Sequence, residues 1–140
     1  MFSLVTSARY QQLPGEINNL KVNLPKHNVI EATCVPPNYF NGPRKGYIAR
    51  LYSGGDVLIK TLKQTECKFE FKDLSYSTEY ELKVTAFNGH NEGIPIGASV
   101  TTSYDDKALI VSLVFFIVAS VAFAVVLSKI YTLRLRKSRK

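Results

Sequence analysis

Two cysteines, Cys34 and Cys67, and two histidines, His27 and His90, are the residues of this 140-residue chain whose chemistry most needs testing. A cysteine-dependent phosphatase needs a thiolate in an H-C-x-x-x-x-x-R loop, where backbone amides and the arginine cradle phosphate and lower the thiol pKa. Cys34 is followed by Val-Pro-Pro-Asn-Tyr-Phe and Cys67 by Lys-Phe-Glu-Phe-Lys-Asp, so neither has an arginine six residues on. No catalytic residue is therefore expected. His27 and His90 lie far apart with no partner at ligand spacing, which argues for loop histidines and against a metal site. Ser53-Gly54-Gly55-Asp56 fits a hairpin turn better than a phosphate-binding loop. Neither a metal nor a cofactor is expected.

The charge balance points elsewhere. The formal charge of +7 would suit nucleic acid if it were spread over a folded surface. Instead residues 1–107 are close to neutral, with 12 Lys/Arg against 11 Asp/Glu, and the last twelve residues hold six basic side chains and no acidic one. A neutral region followed by a short cationic stretch beside an apolar run indicates a membrane surface and excludes a duplex partner.

That apolar run extends from Ala108 to Leu127 without a charge, and Ser112 and Ser120 are its only polar side chains. Twenty helical residues at about 1.5 Å each reach about 30 Å, the thickness of the hydrocarbon core of a bilayer. A transmembrane helix is predicted over 108–128. Lys129, Arg134, Arg136, Lys137, Arg139 and Lys140 follow it, whereas Asp105, Asp106 and Lys107 precede it. The positive-inside bias then places the C-terminus in the cytoplasm and the N-terminal region outside. Tyr104 and Tyr131 bracket the segment at headgroup depth. Ser120, Ala124 and Ser128 recur every fourth residue on one face, a strip that would let two helices approach closely; a monomeric anchor remains the alternative. The tail from Ile130 to Lys140 is too short to fold, and its cations would act as a stop-transfer signal, as an anchor to anionic lipid, or as both.

The elements ahead of the membrane must be short strands. Cys67, Phe69 and Phe71 alternate with Glu66, Lys68, Glu70 and Lys72, and Tyr80, Leu82, Val84 and Ala86 alternate with Glu79, Glu81, Lys83 and Thr85. Each pattern has one buried and one solvated face. Tyr47, Ala49 and Leu51 alternate with Ile48, Arg50 and Tyr52 before the Gly54-Gly55 turn, and the run through Val29, Ala32 and Cys34 stops at Pro36-Pro37. Further strands near Ile17–Val22, Val57–Leu62 and Gly97–Thr102 give about seven, which predicts an all-β, immunoglobulin-like antiparallel sandwich. The domain plan is an N-terminal segment (1–13), a sandwich (14–103), a linker (104–107), the helix (108–128) and a basic tail (129–140). Met1–Tyr10 lacks the continuous apolar core of a signal peptide, so the chain is expected to be a piece or splice product of something longer, the alternative being that the membrane helix is its only targeting signal.

Leu74, Thr78, Tyr80, Leu82, Val84, Ala86, Asn88 and Gly93 together resemble the strand-F region of fibronectin type III domains. The resemblance implies a tyrosine corner at Leu74 and Tyr80, in which the ring closes one edge of the sandwich and its hydroxyl bonds back to the main chain. Tyr76 stands where that family usually has proline, and Cys34 stands near its core tryptophan in a chain with no tryptophan. In the family topology the strands of Cys34 and Cys67 are neighbours, so the resemblance implies a disulfide between them; two reduced, buried cysteines are the alternative.

The junction from Thr102 to Ile110 and the exit from Val125 to Tyr131 extend the likeness, over roughly residues 14–135, to the membrane-proximal part of leukocyte receptor-type tyrosine phosphatases. The resemblance implies a plasma-membrane receptor fragment without its phosphatase domains: an extracellular spacer and anchor with membrane lipid as a partner. Homo-association through the helix and an extracellular protein ligand are further expected partners. A stand-alone adhesion or cytokine-receptor-like module is the competing reading, with Tyr39, Phe40 and Tyr52 as candidates for its surface, although a core or edge role is the favoured reading of these three. The chain has no N-x-S/T sequon.

Overall fold

A computed structural model describes residues 12 to 139. The chain divides into two compact units, one ending at Tyr104 and one beginning at Asp105. The first contains seven strands: β1 (Asn18–Lys26), β2 (Val29–Val35), β3 (Gly46–Ser53), β4 (Val57–Gln64), β5 (Lys68–Phe71), β6 (Glu79–Phe87) and β7 (Ile96–Thr101). They form a three-stranded sheet, β1-β2-β5, and a four-stranded sheet, β4-β3-β6-β7. Every pairing is antiparallel.

Period-two alternation makes this a sandwich. Ile30 and Ala32 of β2, Phe69 and Phe71 of β5, Ala49 and Leu51 of β3, and Leu82 and Val84 of β6 all turn inward and are buried. Burying a side chain the size of Val, Leu or Phe contributes about 1.5–3 kcal/mol, so the six large ones among these eight supply much of the drive for the two sheets to close. The β3–β4 hairpin turns through Gly54 (φ +60°), Gly55 (φ +78°) and Asp56 (φ +65°), a left-handed stretch that glycine and aspartate tolerate.

Two local features depart from plain alternation. β1 runs on to Lys26 through Pro25, which an edge strand accommodates, and its ladder slips twice, between Asn18 and Lys21, where Asn19 adopts φ +48°, and between Asn23 and Lys26, around the proline. On β3, Ile48 belongs by alternation to the solvated face yet is only 1% exposed. It lies between Lys63 and Thr85 in the two ladders, and Glu92, from the β6–β7 connection, reaches across the same face. Both guanidinium nitrogens of Arg50 donate to the Glu92 carboxylate at 2.7 Å, and the Thr85 hydroxyl donates to it at 3.5 Å.

The second unit is one helix, α1 (Asp106–Ser138), 33 residues long. Asp105 caps it by accepting from the Lys107 amide at 3.0 Å, so the connecting segment is shorter than the expected 104–107. The far end requires a correction. The tail was expected not to fold, but the helix continues ten residues past Ser128, to Ser138. Nucleation is the costly step in forming a helix, and here the apolar segment has already provided it. Leu, Arg and Lys then extend the existing turns at little further cost. Arg136 and Lys137 in the last turn also offset the negative end of the helix dipole. Lys140 and residues 1–11 lie outside the described residues.

The Arg50–Glu92 pair makes the domain pH-sensitive in a defined direction. Hydrogen bonds from Arg50 hold the Glu92 carboxyl below its ordinary value of 4.5, against the opposing effect of burial. A carboxyl with a depressed folded-state pKa contributes stability above its unfolded pKa, and that stability is lost as pH falls through the folded value. Denaturant midpoints should therefore drop on acidification below about pH 4.5, and in Glu92→Gln that acid-side slope should be shallower.

Candidate functional site

Cys34 and Cys67 are joined in a disulfide with Cα atoms 5.3 Å apart. The ladder places Thr33 opposite Lys68, so the next step outward brings the two cysteines face to face, and the Cys34 amide donates to the Cys67 carbonyl at 3.2 Å. Both are half-buried and pack against the edge of the core, where they continue the inward row of Ala32 and Phe69. The bonded sulfurs offer no thiolate. Among the described residues no group of three or more His, Cys, Asp or Glu side chains is placed to hold a metal ion.

Leu74 and Tyr80 meet at the end of the sandwich from which the chain departs, and both are buried. The Tyr80 hydroxyl accepts from the Ser75 amide at 3.0 Å, five residues back. Thr102, 3% exposed, closes the same end. Its hydroxyl accepts from the Thr78 amide at 2.9 Å and donates to the Ser75 carbonyl at 2.6 Å, while its own amide donates to the Thr78 carbonyl at 3.0 Å. The Ser103 amide donates to the His27 carbonyl at 2.9 Å, and Ser77 donates to the Ser103 carbonyl at 3.0 Å. Five polar links thus tie the last residues of the sandwich to two other loops. Sequence reasoning picked out the tyrosine and missed Thr102, because a threonine at a strand end has no distinguishing pattern.

The opposite end is organised by Asn88, 1% exposed. Its side-chain amide donates to the carbonyls of Gln12 and Asn41, and its carbonyl oxygen accepts from the amides of His90 and Asn91 at 3.0 and 2.8 Å. One side chain thereby holds the entering chain and two connecting loops together. Gly42 lies so close that a Cβ there would sit 2.6 Å from the main-chain carbonyl oxygen of Asn88.

Of the three aromatic side chains considered for a ligand surface, Phe40 is a core residue packed edge-on to Tyr47 at 5.8 Å, and Tyr52 is covered by the Lys83 ammonium at 4.9 Å. Tyr39 remains 57% exposed, beside Leu13 and Ile94 on a recess of about 420 Å³.

On α1, Ser120, Ala124 and Ser128 are exposed and stand at helical spacing. The Ser120 hydroxyl donates to the Phe116 carbonyl at 2.7 Å and that of Ser128 to the Val125 carbonyl at 2.8 Å. Both serines are satisfied within their own helix, so the face offers small size and not free hydrogen-bond donors. Lys129, Arg134, Arg136 and Lys137 are helical and exposed, and Arg139 is the C-cap.

Three comparisons bear on this arrangement. The family model for the fibronectin type III domain matches residues 15–103. Receptor-type tyrosine-protein phosphatase C of Rattus norvegicus is 46% identical over 126 residues, which is 89% of this chain and 10% of that protein. The Homo sapiens protein of the same name is 38% identical over the same length. The crystal structure of the rat CD45 extracellular region, domains d3-d4, superposes with a TM-score of 0.64 at 39% identity, covering 66% of this chain and 51% of that one. The chain thus spans about a tenth of the length of the curated relatives it matches.

The disulfide yields a quantitative expectation. Closing a loop across a sequence separation of 33 should stabilise the domain. In the chain-entropy treatment the gain is about 3 to 4 kcal/mol. Replacing both cysteines by alanine should lower the unfolding free energy by that order in urea titrations, and reductant should do the same to the native chain while leaving the double variant unchanged.

Proposed function

The chain belongs to the fibronectin type III family, and on that premise we propose that it is the membrane-proximal extracellular module and anchor of a receptor-type tyrosine phosphatase. The observation that carries this reading is the length of the likeness. At 126 residues it is too long to lie within the sandwich and extends into α1, so the sandwich and the apolar helix match as one unit. The role is non-catalytic: the two cysteines hold the fold together, and phosphotyrosine chemistry belongs to the catalytic domains of the relatives.

In this reading residues 14–103 are the exofacial domain, 108–128 cross the bilayer, and 129–140 face the cytoplasm. The charge asymmetry across the apolar run supports that orientation. Lys129, Arg134, Arg136, Lys137, Arg139 and Lys140 hold the inner end at anionic lipid. The small-residue face at Ser120, Ala124 and Ser128 supports lateral pairing by close packing, because its serines are already satisfied. A second reading, a ligand-binding module in its own right, draws on the exposed Tyr39, Leu13 and Ile94 around one recess.

Orientation and export are tested together by expressing the full chain in cells with different tags at its two ends. The N-terminal tag should be labelled on intact cells and the C-terminal tag only after permeabilisation. The reverse pattern, or no surface label, would overturn the reading.

A further inference from the structure

α1 stays helical ten residues beyond Ser128, which fixes the positions of its cations along and around one axis. Lys129 is the first charged residue after the apolar run. At about 1.5 Å per residue, Arg134, Arg136 and Lys137 lie about 7.5, 10.5 and 12 Å further along. At about 100° per residue they lie about 140°, −20° and 80° around the axis from Lys129, so all four cations fall on one half of the cylinder. Ile130 and Leu133 share that half, Tyr131, Thr132, Leu135 and Ser138 occupy the other, on whose side the C-cap Arg139 follows the last helical residue, and no acidic side chain follows Asp106. We infer that the cationic half of Lys129–Lys137 is a docking site for a lipid headgroup carrying several phosphates on an inositol ring.

Depth decides between lipid classes. A lipid with one phosphate, or phosphatidylserine, presents its charge near the level of Lys129. Screening at physiological salt acts over about 8 Å, so Arg136 and Lys137 would feel that layer only weakly. A polyphosphorylated inositol carries its phosphomonoesters on the far side of the ring from the diester. With the reach of the lysine and arginine side chains, such a headgroup can engage Lys129 at its diester and Arg136 or Lys137 at its phosphomonoesters, an arginine being available for two-pronged phosphate binding. Clusters of four or more cations at this position next to a membrane helix suit such headgroups.

The inference rests on the cytoplasmic placement of this end. Its test does not, because reconstituted vesicles present lipid on both leaflets, and surface labelling judges the placement separately. The chain has no tryptophan, so Thr132→Trp provides a single donor on the half opposite Lys129, Arg134, Arg136 and Lys137. Full-length chain is reconstituted in phosphatidylcholine vesicles containing acyl-labelled phosphatidylinositol 4,5-bisphosphate, or acyl-labelled phosphatidylserine at matched total charge.

Energy transfer should report at least about fivefold enrichment of the bisphosphate lipid around the helix relative to phosphatidylserine. Exchanging Leu135 with Arg136 and Lys137 with Ser138 (Leu135→Arg, Arg136→Leu, Lys137→Ser, Ser138→Lys) keeps composition and net charge but moves two cations to the other half. That variant, with helicity confirmed by circular dichroism, should fall to the phosphatidylserine level. Equal enrichment of both lipids, retention by the exchanged variant, or full displacement by equimolar free inositol trisphosphate would each overturn the inference.

Discussion

Twenty consecutive residues without a charge, all exposed along a helix, impose the constraint on which this protein depends. Water does not tolerate that much apolar surface, and hydrocarbon does not tolerate an unpaired peptide group. A helix inside a bilayer satisfies both conditions, because each amide finds its acceptor within the same segment. The remaining features follow at its borders. Asp105 and Asp106 suit the positive end of the helix dipole, and Arg136 and Lys137 suit the negative end, so the flanking charges also stabilise the termini. The ten helical residues beyond Ser128 need no nucleus of their own.

The sandwich solves a different problem. Its two inward faces supply the hydrophobic drive, but strands end in polar backbone that must find partners. At one end Thr102, Ser75, Thr78 and the Tyr80 hydroxyl form a closed set of hydrogen bonds, and at the other Asn88 serves the amides and carbonyls of three segments. Among the described residues no buried side-chain nitrogen or oxygen lacks a partner. Leaving one such group unpaired costs about 1–3 kcal/mol, so these two clusters decide whether the loops hold a single arrangement. The disulfide adds a covalent link between β2 and β5, the short strand with the fewest ladder bonds to keep it in place.

The seven strands were legible because one face of each is apolar and the period is two, and the sheet pairing of Cys34 with Cys67 followed from the family topology. Other features were not legible, for identifiable reasons. Ile48 is buried by a loop that folds over the outer face through Arg50 and Glu92, which are 42 residues apart and carry no local signal. Asn88 belongs to the pattern that carried the family resemblance, but its backbone partners at Gln12 and Asn41, like those of Thr102, are distant in sequence and carry no local signal. For Phe40 a core or edge role was the favoured reading beside a surface one, and its burial against Tyr47 decides for the core. The helical tail was missed because it was judged as an isolated peptide, whereas its helicity is inherited from the segment before it.

The central claim is that α1 is one continuous helix whose first part is in hydrocarbon and whose last part is in water. Amide hydrogen exchange of the full chain in lipid nanodiscs tests it directly. The account predicts strong protection of Ala108–Ser128, limited by the absence of water, and much faster exchange of Ile130–Ser138, limited only by local helix opening. Uniformly fast exchange through Ala108–Ser128, or an abrupt loss of all protection at Lys129, would contradict it.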